Sequence, residues 1–278
     1  MNSTHIPANL STNSVNKKKL SQRLAKENNK YKEFPLLNLY IIIVGIIEII
    51  AEALDIFYLR LLKPVPIILM IIYISGKNAQ RDHLVPTLIK GGLYLSLIGD
   101  IFLMFSEISA FMVGTGFFLV AHVLYCIAFT IGDPVRESTM SNNLIRKGIS
   151  LVLIGLFFYN VYDLWDKFPN RVLFISYAFT LLLMNLLSIN RYGKTTPYSF
   201  WFMAIGAVCF GLSDNLLGFL KFNHIRSHVG RAGVMLLYYS AQYLLMHGAM
   251  HHSNLQYQIS RYLKATGSGS AQAANIRV

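Results

Sequence analysis

Two aspartates stand inside apolar stretches of this chain, each eight residues after a glycine: Gly92-Leu-Tyr-Leu-Ser-Leu-Ile-Gly-Asp100 and Gly206-Ala-Val-Cys-Phe-Gly-Leu-Ser-Asp214. An aspartate at the centre of a membrane helix costs about 2.5 to 3.5 kcal/mol on insertion scales, so such a residue faces a bundle interior or a wet cavity. Gly92, Ser96 and Asp100 recur every fourth residue, and Gly211, Asp214 and Gly218 form a similar small-residue stripe that lets a neighbouring helix come close. Two carboxyls brought together at low dielectric do not both ionise; one keeps its proton while the other stays basic, which makes an acid and a base in one site. His122 with Tyr125, and Tyr239 with Gln242, are pairs at i, i+3 that reach the same zone and are read as site walls. Glu48, Glu52 and Asp55, at i, i+4 and i+7, put three carboxyls on one helix face, with Lys63, just before Pro64, as a candidate cation for them. His247 and His251 form an HxxxH pair that zinc would use only with a third ligand. Without the glutamate of HExxH they are read as surface histidines, and neither a metal nor a cofactor is expected.

The elements that position these groups follow from composition. Of 278 residues, 54% are hydrophobic and 14% charged, whereas soluble domains carry roughly a quarter charged residues. Apolar stretches recur near residues 36–59, 64–76, 86–105, 110–131, 148–164, 171–189, 198–220 and 230–250, most of them approaching the ~20 residues of a bilayer span. The fold class is therefore all-α, a polytopic membrane protein with about eight transmembrane helices. A barrel is excluded because the apolar runs do not alternate. Cys126 and Cys209 both lie within apolar runs and are read as packing residues.

The net charge of +12 would suggest nucleic acid in a soluble protein, but here the basic residues sit between and outside the apolar runs. No nucleic-acid partner is expected; the partner is the bilayer. With the N-terminus inside, the inner segments hold about 18 of the 25 Lys and Arg residues, which predicts both termini to be cytosolic. Residues 1–35 read as a disordered basic arm, 36–250 as the transmembrane catalytic domain and 251–278 as a polar cytosolic tail. The halves also match each other: Leu103 and Leu217 follow the aspartates by three residues, Phe105 and Phe219 by five, Tyr125 and Tyr239 by twenty-five. That pattern fits two parallel four-helix repeats, which would set Asp100 and Asp214 at equal depth.

Across residues 60 to 250 the chain resembles the lysoplasmalogenase family of YhhN-like membrane proteins. The residues that carry the likeness are Lys63-Pro64, the two Gly-to-Asp segments, Ala121-His122-Val-Leu-Tyr125, and Tyr239 with Gln242. The resemblance implies eight helices and hydrolysis of the vinyl-ether bond of lysoplasmalogens, giving a fatty aldehyde and glycerophosphoethanolamine or glycerophosphocholine. It also implies a lysophospholipid substrate and, in animal cells, an endoplasmic reticulum location. The chemistry suits the carboxyl pair, as in glycoside hydrolysis: one acid protonates the vinyl ether, and the partner stabilises the cation and activates water. Lys63 would then hold the headgroup phosphate, with Glu48 and Glu52 favouring its ammonium.

Other classes stay open at this point. An intramembrane aspartyl protease also uses two membrane aspartates, but its GxGD motif needs glycine where Leu97 stands. A proton-coupled transporter or a receptor would use the carboxylates as ion or ligand sites. A zinc-dependent lipid hydrolase would be built on His247 and His251.

Overall fold

The computed structural model describes residues 35–56, 61–76, 84–131, 143–192 and 195–266, without the side chains of 35, 143–146, 160 and 252–266. The basic arm lies outside them. Among the described residues the chain is an eight-helix bundle: α1 (Pro35–Ala53), α2 (Val65–Gly76), α3 (Leu84–Leu103), α4 (Ile108–Thr130), α5 (Asn143–Leu164), α6 (Arg171–Asn190), α7 (Pro197–Phe222) and α8 (His228–Thr266). Six of them, α1 and α3 to α7, are long and apolar enough to cross a membrane; α2 is apolar but shorter. Large apolar side chains such as Leu36, Ile50, Val152 and Val172 face outward, which in a polytopic membrane protein is the surface that meets lipid. α8 continues through Thr266, past the end of the expected span.

Local chemistry sets several helix ends. The side chains of Asn170 and Thr196 accept from the backbone N–H of Leu173 and Ser199 at 3.1 and 3.2 Å, and Ser227 accepts from Gly230 N–H at 2.9 Å, so α6, α7 and α8 each begin on a side-chain cap. The first span was expected to reach residue 59, but α1 stops at Ala53. The cause is Asp55, which turns to a φ of 59°. There the N–H of Ile56 donates to Ala51 O at 2.9 Å and that of Asp55 to Glu52 O at 3.4 Å, a Schellman ending. α7 ends the same way, with His224 at a φ of 55° and the N–H of Ile225 donating to Leu220 O at 2.9 Å.

The most extensive helix pairs are α3 with α4 and α7 with α8, the third and fourth helices of each half. The matched glycines lie in these seams. A Cβ on Gly92 would fall inside the Tyr125 ring of α4, and one on Gly206 would come 3.1 Å from the Ala241 carbonyl oxygen of α8. Both pairs need a residue without a side chain at that level.

The halves are tied together by Arg191, which follows α6 and is 2% exposed. Its Nη1 donates to the carbonyl oxygens of Ala128, Phe129 and Ile131 at 3.0, 3.3 and 3.0 Å. Those are carbonyls that the end of α4 cannot satisfy within its own helix, and the negative end of its dipole favours a cation there. Burial pulls the guanidinium down to about 10, which still leaves it charged at neutral pH.

Candidate active site

Successive helices alternate in direction, so the C-terminal ends of α1, α3, α5 and α7 gather with the N-terminal ends of α2, α4, α6 and α8. A narrow cavity of about 90 Å³ opens at that end of the bundle. Asp100 and Asp214 both line it, together with Lys63, Tyr177, Ser213 and Tyr238. The rest of the wall is mostly apolar, and Phe111, Phe168, Phe174 and Phe222 pack together as a largely buried aromatic cluster within it.

Each aspartate holds one tyrosine from another helix. The Tyr238 hydroxyl of α8 donates to Asp100 Oδ2 at 2.7 Å; the Tyr177 hydroxyl of α6 donates to Asp214 Oδ2 at 2.6 Å. These short bonds to carboxyl oxygens orient both groups toward the cavity's polar centre. Asp100 and Asp214 lie within electrostatic reach of each other, and Lys63 lies within reach of both Asp100 and Glu48. His122 is fully buried behind Asp214, with Nε2 3.7 Å from Asp214 Oδ2, and stands edge-on to Phe210.

The other expected site residues lie around this centre. Tyr125 donates to Gln242 Oε1 at 2.8 Å, a buried link between α4 and α8 that backs the cavity without lining it. Tyr239 donates to the Lys63 carbonyl oxygen at 2.9 Å and lies beside Glu48, so it fixes the segment that carries the lysine. Glu48 is fully buried, and neither carboxylate oxygen has a close hydrogen-bond partner. Glu52 instead accepts from Arg231 Nε at 2.9 Å, and Asp55 accepts from Arg231 Nη2 at 3.0 Å and lies 3.0 Å from His228 Nδ1. Tyr177, Tyr238 and Arg231 were not expected from sequence. Tyr238 carries a signal in the sequence, since it stands one turn before Gln242 on the same face of α8, whereas the repeat register pairs Tyr125 with Tyr239.

The histidine pair diverges. His247 Nε2 lies 3.2 Å from Asn38 Oδ1 of α1 and its ring meets Tyr73, so it is half-buried, not on the surface. His251 Nδ1 lies 3.3 Å from Thr196 Oγ1, and its ring lies against Tyr198. Among the described residues no three His, Cys, Asp or Glu side chains are grouped to hold a metal ion.

Residues 59–249 match the sequence profile of the YhhN family. The chain belongs to the YhhN family. Among its relatives, lysoplasmalogenase TMEM86B of Sus scrofa is 30% identical over 187 residues, covering 66% of this chain and 72% of the relative. A lysoplasmalogenase homolog of Dictyostelium discoideum is 25% identical over 234 residues, covering 67% of this chain and 76% of the relative. No solved structure matches the chain. Both aspartates, both tyrosines that hold them, Lys63 and Arg231 fall within the YhhN segment, whereas Glu48, Glu52 and Asp55 precede it.

Proposed function

We propose that this YhhN protein is a lysoplasmalogenase that hydrolyses the vinyl-ether bond of lysoplasmalogens, with Asp100 and Asp214 as its acid and base. The observation that carries the assignment is the meeting of the two aspartates, from the third helix of each half, in one apolar-walled cavity. The names of the relatives supply the substrate class.

The protonated aspartate delivers its proton to the β-carbon of the vinyl ether, and the double bond's electrons form the new C–H bond. The cation left behind is an oxocarbenium ion shared between the α-carbon and the ether oxygen. The ionised aspartate stabilises it and takes a proton from the water whose oxygen bonds to the α-carbon. In the hemiacetal so formed the bond to the glycerol oxygen breaks, that oxygen takes up a proton, and the hydroxyl proton is lost as the aldehyde forms. One water is consumed and both carboxyls return to their starting state. Tyr177 and Tyr238 keep each carboxyl aimed while its charge changes. Lys63 attracts the headgroup phosphate, and the acidic face of Glu48 and Glu52 favours its ammonium, with Arg231 already holding Glu52. The enzyme lies in the endoplasmic reticulum membrane with both termini in the cytosol; the excess of basic residues on the inner segments supports the orientation.

The test is purified protein with a lysoplasmalogen and an aldehyde readout. Wild type releases aldehyde, and Asp100→Asn and Asp214→Asn each abolish release while remaining folded and membrane-inserted. Full activity in either variant removes the pair from the chemistry, and no release by wild type overturns the assignment.

A further inference from the structure

The catalytic cavity does not end at the aspartates. A second groove runs between α5, α6 and α7 and shares Ala178, Leu181 and Asn215 with the cavity wall, so the two spaces adjoin along one side. The groove is lined mainly by apolar side chains, among them Leu153, Phe157 and Leu182. Its outer rim, Leu156, Val208 and Leu212, is exposed on the apolar surface of the bundle. α5 packs on α6 but touches α7 only weakly, which leaves this seam open to the side.

Direction along the helices gives the groove its meaning. From Asp214 back to Val208 is about 9 Å along α7 at 1.5 Å per residue, away from the end that carries Lys63. On α6 the run from Tyr177, which holds Asp214, through Leu181 to Asn185 leads about 12 Å in the same direction. The order from the end of the bundle inward is therefore the cation Lys63, then the two aspartates, then an apolar channel that opens sideways. A single-chain phospholipid standing in one leaflet has the same order: anionic phosphate, the bond joining chain to glycerol, then hydrocarbon.

We propose that the groove between α5, α6 and α7 is the binding site for the hydrocarbon chain of a single-chain phospholipid, which enters it sideways from the bilayer past Leu156, Val208 and Leu212. The proposal rests on the lysoplasmalogenase reading for the reacting bond, but the chain site stands on the continuity of the two spaces and can be tested apart from catalysis. Chain burial in this channel sets preference for chain length, because each methylene left without a wall loses its transfer energy. Asn185, Gly211 and Asn215 are the polar interruptions in the channel wall. Asn215 is satisfied internally, its Nδ2 donating to the Gly211 carbonyl oxygen at 2.6 Å.

The probe is an alkyl-ether lysophospholipid, which has no vinyl bond to hydrolyse, carrying a diazirine at the end of its chain. On irradiation with the wild-type protein it labels the peptides around Leu153 and Val208, and excess unlabelled lysoplasmalogen suppresses the labelling. Labelling spread over the lipid-facing sides of α1 and α2, and unaffected by competitor, overturns the chain site. In parallel, Val208→Trp and Leu153→Trp narrow the channel, and the ratio of kcat/KM for a long-chain over a short-chain lysoplasmalogen falls about tenfold in each. An unchanged ratio in folded variants also overturns it. Labelling at the groove by a protein that releases no aldehyde would keep the chain site and reject the hydrolase reading; aldehyde release with labelling elsewhere would do the reverse.

Discussion

Tyr238 of α8 donates its hydroxyl to Oδ2 of Asp100 on α3 at 2.7 Å, 138 residues away in sequence, and both side chains line the same cavity. Tyr177 stands in the same relation to Asp214. A hydrogen bond to a charged group contributes about 1.5 to 3 kcal/mol. Tyr238→Phe and Tyr177→Phe should therefore each lower kcat by about ten- to a hundredfold, with KM little changed, since the tyrosines position the carboxyls and do not bind the chain. Steady-state kinetics on lysoplasmalogen checks this; a change confined to KM would place the tyrosines in substrate binding.

The glycine seams predict a graded effect on stability. A methyl group at Gly92 falls within the Tyr125 ring, whereas the methyl at Gly206 stands 3.1 Å from the Ala241 carbonyl oxygen, a tight contact short of overlap, and at Gly116 it meets nothing within 4 Å. Overpacking costs about 1 to 3 kcal/mol. Thermal unfolding in detergent should show Gly92→Ala clearly destabilised, Gly206→Ala less so and Gly116→Ala close to wild type.

The headgroup assignment predicts a split in the kinetic constants. Lys63→Met and Glu52→Gln should raise KM more than they lower kcat, since they remove binding shared by ground state and transition state. Loss of kcat at constant KM in both would assign these residues to the chemistry or the fold. Because Glu52 accepts from Arg231, Arg231→Gln should reproduce part of the Glu52→Gln effect, and the double variant should show less than the sum of the two.

Much of this arrangement is legible in sequence. Eight apolar runs give eight helices, and the equal spacing from Gly to Asp in two of them marks Asp100 and Asp214 as a pair that one cavity then joins. What spacing does not give is how each helix is rotated about its axis against its neighbours. Tyr239 shares the repeat register of Tyr125, yet the neighbouring Tyr238 is the residue that faces Asp100. Tyr177 lies in an unremarkable apolar run, and only the packing of α6 beside α7 brings it to Asp214. The early end of α1 was hidden as well, because apolar residues continue through Ile56 and Phe57 and only a left-handed turn at Asp55 stops the helix.

Metal removal should have no effect. His247 and His251 point to different partners, Asn38 and Thr196. Strong zinc chelators should leave aldehyde release at its wild-type rate. Loss on chelation, restored by added zinc, would move the chemistry to a metal site.

The orientation gives a further expectation. The sequons at Asn2-Ser-Thr and Asn9-Leu-Ser should remain unmodified in a eukaryotic host if the N-terminus is cytosolic. A glycan on either asparagine, read as a mobility shift reversed by an endoglycosidase, would invert the topology.

Arg191 has a consequence for how the chain is assembled. Its guanidinium closes the carbonyls at the end of α4 from a position 63 residues downstream of Ala128. Helices leave the ribosome in order, so α4 emerges with an unfinished terminus that only the arrival of α6 completes. The first four helices made alone would expose that terminus, and co-expression of the chain cut between α4 and α5 should require the second fragment before the first resists proteolysis. The two halves that the repeat pattern separates are, in biogenesis, a single unit.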